Sequence, residues 1–418
     1  MACPKCGIVA RRKRTRTRKV RSLCYQQIVW LEIHYGEYRA KCDCCKSFHS
    51  HPDHVDLKAK YDHSVRQAVI DRILNDKLNL SAVQSSMQRD FLVELSSGYI
   101  YAALDHAIRK FDGNEFRKHV LSQFSGVLCI DEIHLGRRVL LLASDPIADN
   151  PVACALVSKN DAAHMIRFMR NLDNHGFSPH TVVSDRSHLY PLALKAVWRD
   201  AEHQLCVFHV IAELNKLVLD ATRTVRRELK PKSIKKGRGR PSRKQQARAR
   251  KLKAQQVQAD KLFRNRHALV RKRSKMTSKQ TKRLHELTSL SPVLETLRSF
   301  SDDVHALFSL RRNTHHAWKI WRRMRRSAKY LAVPALAKAL EVLSKATMEK
   351  LLVYLDAPLS QRTKTRTNNH VERCNRKLRY LEKVRYKWRR SRTIVRHVLL
   401  QFENWLQTKQ ITAKPVNE

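Results

Sequence analysis

The chain has 418 residues, too many for one ordinary domain, and its 42% hydrophobic content is enough for real cores. Only 9 Gly and 12 Pro exclude a low-complexity protein. A formal net charge of +47, from 84 Lys+Arg against 37 Asp+Glu, points to a polyanion partner, because bound Lys and Arg release counterions condensed on phosphates. No apolar run approaches the roughly 18–20 residues of a membrane-spanning helix. The opening Met-Ala-Cys-Pro-Lys-Cys-Gly has no apolar signal-peptide core, so a cytosolic location is expected. Ten cysteines in a reducing compartment read as metal ligands or buried thiols rather than disulfides.

Residues 1–54 are rich in Cys and His. Cys3-x-x-Cys6 and Cys42-x-x-Cys45 form two knuckles, and four thiolates suit a tetrahedral structural zinc. Their separation exceeds the commonest ribbon spacing, and a β-hairpin through residues 26–40 would close it. Cys24, Cys44, His49 and His51 are alternative ligands. The basic run Arg11 to Arg21 is either a solvated face or a phosphate-contacting one.

Residues 55–118 read as helices. Ser81 suits an N-cap for a helix over Leu80–Met87, and Ser96-Ser97 precede a second over Gly98–Ile108. With Tyr99 and Tyr101 near its start, this pair is expected to form a helix-turn-helix whose second helix enters a major groove. An ordinary helical pair packed on a core fits the same pattern.

Residues 122–212 alternate buried strands with helices. Strands are predicted at Gly126–Ile130, Arg138–Ala143, Pro151–Val157, Thr181–Val183 and Glu202–Phe208. Helices are predicted from Asp161, an N-cap, to Leu172 and over Leu192–Trp198. The order strand-strand-strand-helix-strand-helix-strand is that of a ribonuclease-H-like α/β core. Asp131 directly follows the first strand and Asp185 the fourth, which lie side by side in such a sheet. Two-metal phosphoryl transfer needs hard oxygen ligands held in this way, at strand ends of an open α/β sheet. A third acid should come from a helix packed across them. Glu132, next to Asp131, would point to the opposite face of the strand and is the less favoured ligand.

Residues 213–366 are basic and helical by pattern. Lys230 to Arg243 is dense in Gly, Pro and positive charge and reads as a flexible arm. Trp318 and Trp321 sit three apart, as on a buried helix face. A final helical segment covers 367–410. Within it Tyr386-Lys-Trp-Arg-Arg390 places Lys387, Trp388 and Arg389 as DNA-backbone contacts with an aromatic anchor.

Four motifs, Asp131-Glu-Ile-His134, Ser184-Asp-Arg-Ser-His-Leu-Tyr190, Cys206-Val-Phe-His209 and Thr367-Asn-Asn-His-Val-Glu-Arg-Cys-Asn-Arg376, together resemble DDE insertion-sequence transposases, and the ISL3 family in particular. The resemblance covers most of the chain. It implies Asp131, Asp185 and Glu372 as ligands of catalytic Mg²⁺ or Mn²⁺, with Glu372 on a helix that Asn368 or Asn369 caps. It also implies a helical insertion between the second Asp and the Glu. Arg186 stands where a small residue such as glycine is the pattern. Cys206 and His209 have soft-metal character, but the preferred reading is packing or DNA contact. The expected architecture is a zinc ribbon, a helix-turn-helix, and a ribonuclease-H-like core with a helical insertion. The expected activity is metal-dependent cleavage and strand transfer at terminal inverted repeats into target DNA. A homodimer in the synaptic complex, nucleoid association in a prokaryote and no membrane contact complete the reading. The rivals are a non-catalytic zinc-ribbon regulator and a ribonuclease-H-like nuclease without strand transfer.

Overall fold

The computed structural model describes residues 1–24, 27–39, 41–42, 47–50, 53–56, 58–231, 242–384, 388 and 390–413. They form two compact units. One comprises Met1–Ser122, His134–Leu140 and Cys374–Glu418; the other comprises Gln123–Ile133 and Leu141–Arg373. The expected segment 367–410 is therefore divided, with Glu372 in the second unit.

The first unit opens with an antiparallel sheet of β1 (Arg11–Cys24), β2 (Gln27–Arg39) and β3 (Ser47–His49), in that order. The basic run is thus one arm of a long hairpin, paired from Arg11↔Arg39 to Cys24↔Gln27 with an irregularity between Arg12 and Arg14. Period-two alternation puts Arg14 and Arg16 on one face. Their Nε atoms lie 2.5 and 2.6 Å from Oε2 of Glu37. These guanidiniums hold the Glu37 carboxyl down to about 2. Val20, Ile33 and Val55 make only a small buried cluster here.

Helices α1 (His63–Leu74), α2 (Leu80–Phe91), α3 (Ser97–Lys110) and α4 (Gly113–Ser122) follow. Asp62 and Ser96 cap α1 and α3 through side-chain oxygens. The cap of α2 is Asn79, two residues before Ser81, because the Asn79 side chain accepts from Ala82 N–H. Val65, Val69, Ile73, Val83, Met87, Ile100 and Leu104 form the buried face of this helical group.

The second unit carries most of a five-stranded sheet. Its strands are β4 (Val127–Leu135), β5 (Arg138–Asp145), β6 (Asn150–Val157), β7 (Thr181–Ser184) and β8 (Glu202–Leu205), with α5 (Ala162–Asn174) before β7 and α6 (Leu189–Val197) before β8. The spatial order β6-β5-β4-β7-β8 makes β4 and β7 neighbours. They pair in parallel, Val127↔Thr181 to Cys129↔Val183. Leu140, Leu142 and Ala143 of β5 are fully buried, as expected for a strand covered on both faces.

The predicted strand over 202–208 stops early. Cys206 takes the N-cap position, and Val207 and Phe208 begin α7 (Val207–Leu229). The apolar run misled because Val207 is buried in the first helical turn, so it looks the same as a strand residue in sequence. Helices α8 (Arg243–Asn265), α9 (Ser278–Thr288), α10 (Pro292–Leu307), α11 (Thr314–Arg325), α12 (Ala328–Leu331), α13 (Pro334–Val342), α14 (Lys345–Leu352) and α15 (Arg362–Thr365) make the insertion. The arm expected at 230–243 lies mostly outside the described residues. Leu214, Leu297, Phe300, Leu336 and Leu351 share one core with Leu205 of β8. Trp318 and Trp321 pack against that core, and Trp321 Nε1 donates to Leu343 O at 2.7 Å. The fully buried Gln204 of β8 ties the insertion to the sheet, donating to Leu351 O and accepting from Tyr354 N–H.

Arg298 of α10 is 2% exposed and donates to the carbonyls of Ala268, Leu269 and Arg271 while pairing with Asp302. Arg298→Leu takes this buried donor from three carbonyls and leaves Asp302 with Arg273 alone. It is expected to destabilise the protein by roughly 3 kcal/mol, read as a lower midpoint of urea unfolding. An unchanged midpoint would refute the buried-pair account.

The chain ends with α16 (Asn369–Val384) and α17 (Ser391–Ala413). In the first unit, Leu400 of α17 joins the buried face of the helical group. No helix among the described residues is long and apolar enough to cross a membrane.

Candidate active site

Asp131 lies within β4, not after it, because the strand continues to Leu135. Asp185 follows the last residue of the adjacent β7, and its Oδ1 accepts from Ser187 N–H at 2.9 Å. That bond closes the turn despite the Arg186 side chain, which reaches away to Glu213 at 2.8 Å. Glu372 sits in the first turn of α16.

Three backbone links assemble these pieces. Cys206 N–H donates to Ser184 O at 2.8 Å, beside Asp185. Val207 N–H donates to Arg366 O at 3.2 Å, just before the Glu372 helix. Glu372 N–H donates to Asn368 O at 3.1 Å. Asn368 is fully buried, yet its side-chain atoms make no hydrogen bond among the described residues, so no side-chain cap from it is present.

The acids feel one another. Burial, then Glu132, Asp185 and Glu372, push the Asp131 carboxyl up to about 7. Burial and then Glu132 raise that of Asp185. Partly desolvated carboxylates near one another are frequent at functional sites, where a proton or a bound cation relieves their repulsion. Glu132 has a different environment. Its Oε1 accepts from Asn160 Nδ2 at 2.9 Å and its Oε2 from the Tyr190 hydroxyl at 2.5 Å. Tyr190 is fully buried.

The turn between β5 and β6 adds a clamp that sequence reasoning missed. Asp149 holds a left-handed backbone at φ 56°. Its Oδ1 lies 2.9 Å from His370 Nε2 and also pairs with Arg373, the residues flanking Glu372 on α16. The Asp149-Asn150 dipeptide is an ordinary turn signal, and nothing local marks a partner more than two hundred positions away. Cys206 and His209 lie with Glu372 in one group whose ligand atoms are all within 4.8 Å of one another.

Among the other predicted residues, Cys3, Cys6 and Cys42 converge in a second such group, with Cys42 Sγ and Cys3 Sγ 3.5 Å apart. Cys45 lies outside the described residues. Tyr101 is half exposed, whereas Tyr99 packs edge-on against Tyr61, and burial pushes its phenol up to about 12. Lys387 and Arg389 lie outside the described residues. Trp388 does not present its ring to solvent: it is 5% exposed and stacks on His397 at 5.3 Å, so a direct DNA contact gives way to a packing role.

A family model described as a transposase, of the DDE ISL3 type, matches residues 128–393. The chain belongs to the ISL3 family of DDE transposases. The match spans Asp131, Asp185, Cys206, His209 and Glu372 of this ISL3 transposase. A search of curated proteins finds no match. The solved Drosophila P element transposase strand transfer complex is similar at 14% identity, covering 86% of this chain and 94% of its own, with a TM-score of 0.37.

Proposed function

We propose that this ISL3 transposase cleaves DNA at the terminal inverted repeats of an insertion sequence and joins the freed ends to target DNA. The observation that carries this reading is that Asp131 and Asp185 stand on or just after the paired strands β4 and β7, with Asp185 and Glu372 both near enough to raise the Asp131 carboxyl. An acid pushed up to about 7 by burial and by its acidic neighbours suits a divalent-cation site. Asp131, Asp185 and Glu372 would hold Mg²⁺ or Mn²⁺, whose hard oxygen preference fits an all-carboxylate set. Bound ions of that kind activate the attacking oxygen and stabilise the leaving one. The chain's own contribution is to fix the carboxylates on β4, β7 and α16. Water, and then a 3′-hydroxyl, is the nucleophile, so no covalent protein–DNA bond forms.

The net charge of +47 supplies sequence-independent affinity for the phosphate backbone. Cys3, Cys6, Cys42 and Cys45 are assigned to a zinc ribbon, and α2 and α3 to a helix-turn-helix that offers Tyr101 to DNA. Lys387 and Arg389 remain assigned to phosphate contact. Pairing of two element ends calls for a homodimer, acting on the nucleoid in the cytoplasm. Cleavage of inverted-repeat DNA with Mg²⁺, followed by strand transfer into a plasmid target, tests the whole reading. Cleavage without transfer would leave only a nuclease.

Asp149 is a positioning residue in this scheme. Asp149→Ala is expected to lower kcat about 10- to 100-fold, the usual range for a partner that orients a ligand, with KM for DNA little changed. Asp149→Asn should recover most of the rate, because asparagine tolerates the left-handed backbone and keeps an acceptor for His370. Equal losses in both variants would contradict a positioning role.

A further inference from the structure

The strand-to-helix switch at Cys206 brings a thiol and an imidazole to the one acid that the sequence places on a distant helix. Cys206 is 1% exposed and follows β8 as the N-cap residue of α7. His209 is one turn further along α7. Its Nε2 lies 3.7 Å from Oε1 of Glu372, too far for a hydrogen bond. That same Oε1 is buried and has no hydrogen-bond partner among the described residues. A carboxylate oxygen buried without a donor is costly unless something positive meets it.

The donor set specifies what that would be. Cys206, His209 and Glu372 present sulfur, nitrogen and oxygen atoms all within 4.8 Å of one another. A thiolate and an imidazole favour zinc or cadmium strongly over magnesium, and three protein ligands with one open side are a common arrangement for zinc. The half-exposed His209 leaves such an open side, while the buried Cys206 fixes the floor.

We propose that Cys206, His209 and Glu372 form a binding site for a thiophilic divalent cation, distinct from the all-carboxylate site, and that its occupancy withdraws Glu372 from Asp131 and Asp185. On binding, the ion displaces the thiol proton of Cys206 to solvent and takes one lone pair each from Sγ, the His209 ring and Glu372. Glu372 is the only residue common to both sets, so the two kinds of ion compete for it. The binding itself needs no assumption about catalysis. The inhibitory consequence rests on the reading of Glu372 as a ligand of the catalytic ions.

The test is a cadmium titration of the full-length protein, followed by thiolate-to-cadmium charge-transfer absorption and by the bound equivalents. The parent should bind one equivalent more than Cys206→Ser, whose hydroxyl is close in size and suits the N-cap position of α7. Glu372→Gln, which keeps the thiol, should weaken that equivalent at least roughly tenfold. Equal stoichiometry in the parent and Cys206→Ser would overturn the site. The second arm measures Mg²⁺-dependent cleavage, each protein normalised to its own cadmium-free rate. Cys206→Ser should need at least about tenfold more cadmium for half inhibition than the parent. If the extra equivalent binds but cleavage by the parent is insensitive to it, the shared role of Glu372 fails while the cation site stands. If the protein does not cleave DNA at all, the functional reading fails and the titration still decides the site.

Discussion

Asp131→Asn, Asp185→Asn and Glu372→Gln should each lose DNA cleavage by on the order of a thousandfold, the upper range for deleting one preorganised electrostatic group. Each change preserves shape and removes one charged ligand. Affinity for DNA should persist, because it derives from many Lys and Arg contacts to phosphates rather than from three acids. Stability should also persist. Asp131 sits in a folded site that disfavours its own ionisation, where burial and three neighbouring carboxylates push it up to about 7, so a neutral amide removes repulsion. Retained fold and retained binding with lost cleavage thus separate a chemical role from a structural one. Glu132→Gln is the internal control. Glu132 already satisfies Asn160 and Tyr190, and its loss should be smaller than any of the three. Cleavage by all three variants, or a larger defect at Glu132, would move the metal site elsewhere.

The strands beside which Asp131 and Asp185 stand were legible in sequence for a simple reason. Each strand is a short apolar run, and an acid interrupts one (Asp131) or follows the other (Asp185), so the change from apolar to acidic marks both positions. Glu372 had no such local support, since its helix follows the insertion and its partners are distant in sequence. Its place came from the Asn-rich motif, and the structure sets it beside His209. What escaped is what depends on tertiary contact alone. The Asp149 clamp and the third member of the Cys206–His209 group both join residues from different elements. Trp388 shows the opposite failure: flanking Lys and Arg suggested a surface, but the ring lies against His397.

Loss of the proposed zinc is the second large effect. Among the described residues, Val20 and Ile33 of the β1–β2 hairpin share a buried cluster only with Val55, a core too small to stabilise such a long ribbon by itself. Structural zinc sites contribute about 10–16 kcal/mol of binding energy to small folds near neutral pH. Cys3→Ser or Cys42→Ser, or treatment with a strong chelator, should therefore release about one zinc per chain. Selective binding to inverted-repeat ends should fall at least about a hundredfold, while general DNA affinity is retained because Lys and Arg elsewhere supply it. Metal analysis and competition gel shifts measure both. If the cysteine variants kept full zinc and full end selectivity, the thiol group would be a packing feature. Buried Glu37 should not compensate, because it is already engaged by Arg14 and Arg16.

The hydrogen bond from Val207 N–H to Arg366 O has a consequence for how far the active site extends along the chain. The polypeptide departs at one residue and comes back at the other, adjacent to where it left. Were the intervening stretch of about 160 residues a loose coil, bringing its ends together would oppose closure by roughly 4–5 kcal/mol. Because that stretch has a packed core, running from Leu214 through Phe300 to Leu351, the ends are delivered side by side already. Remote defects in that core would act as slack in a drawstring, letting the Glu372 helix drift from the aspartates without touching any of the three.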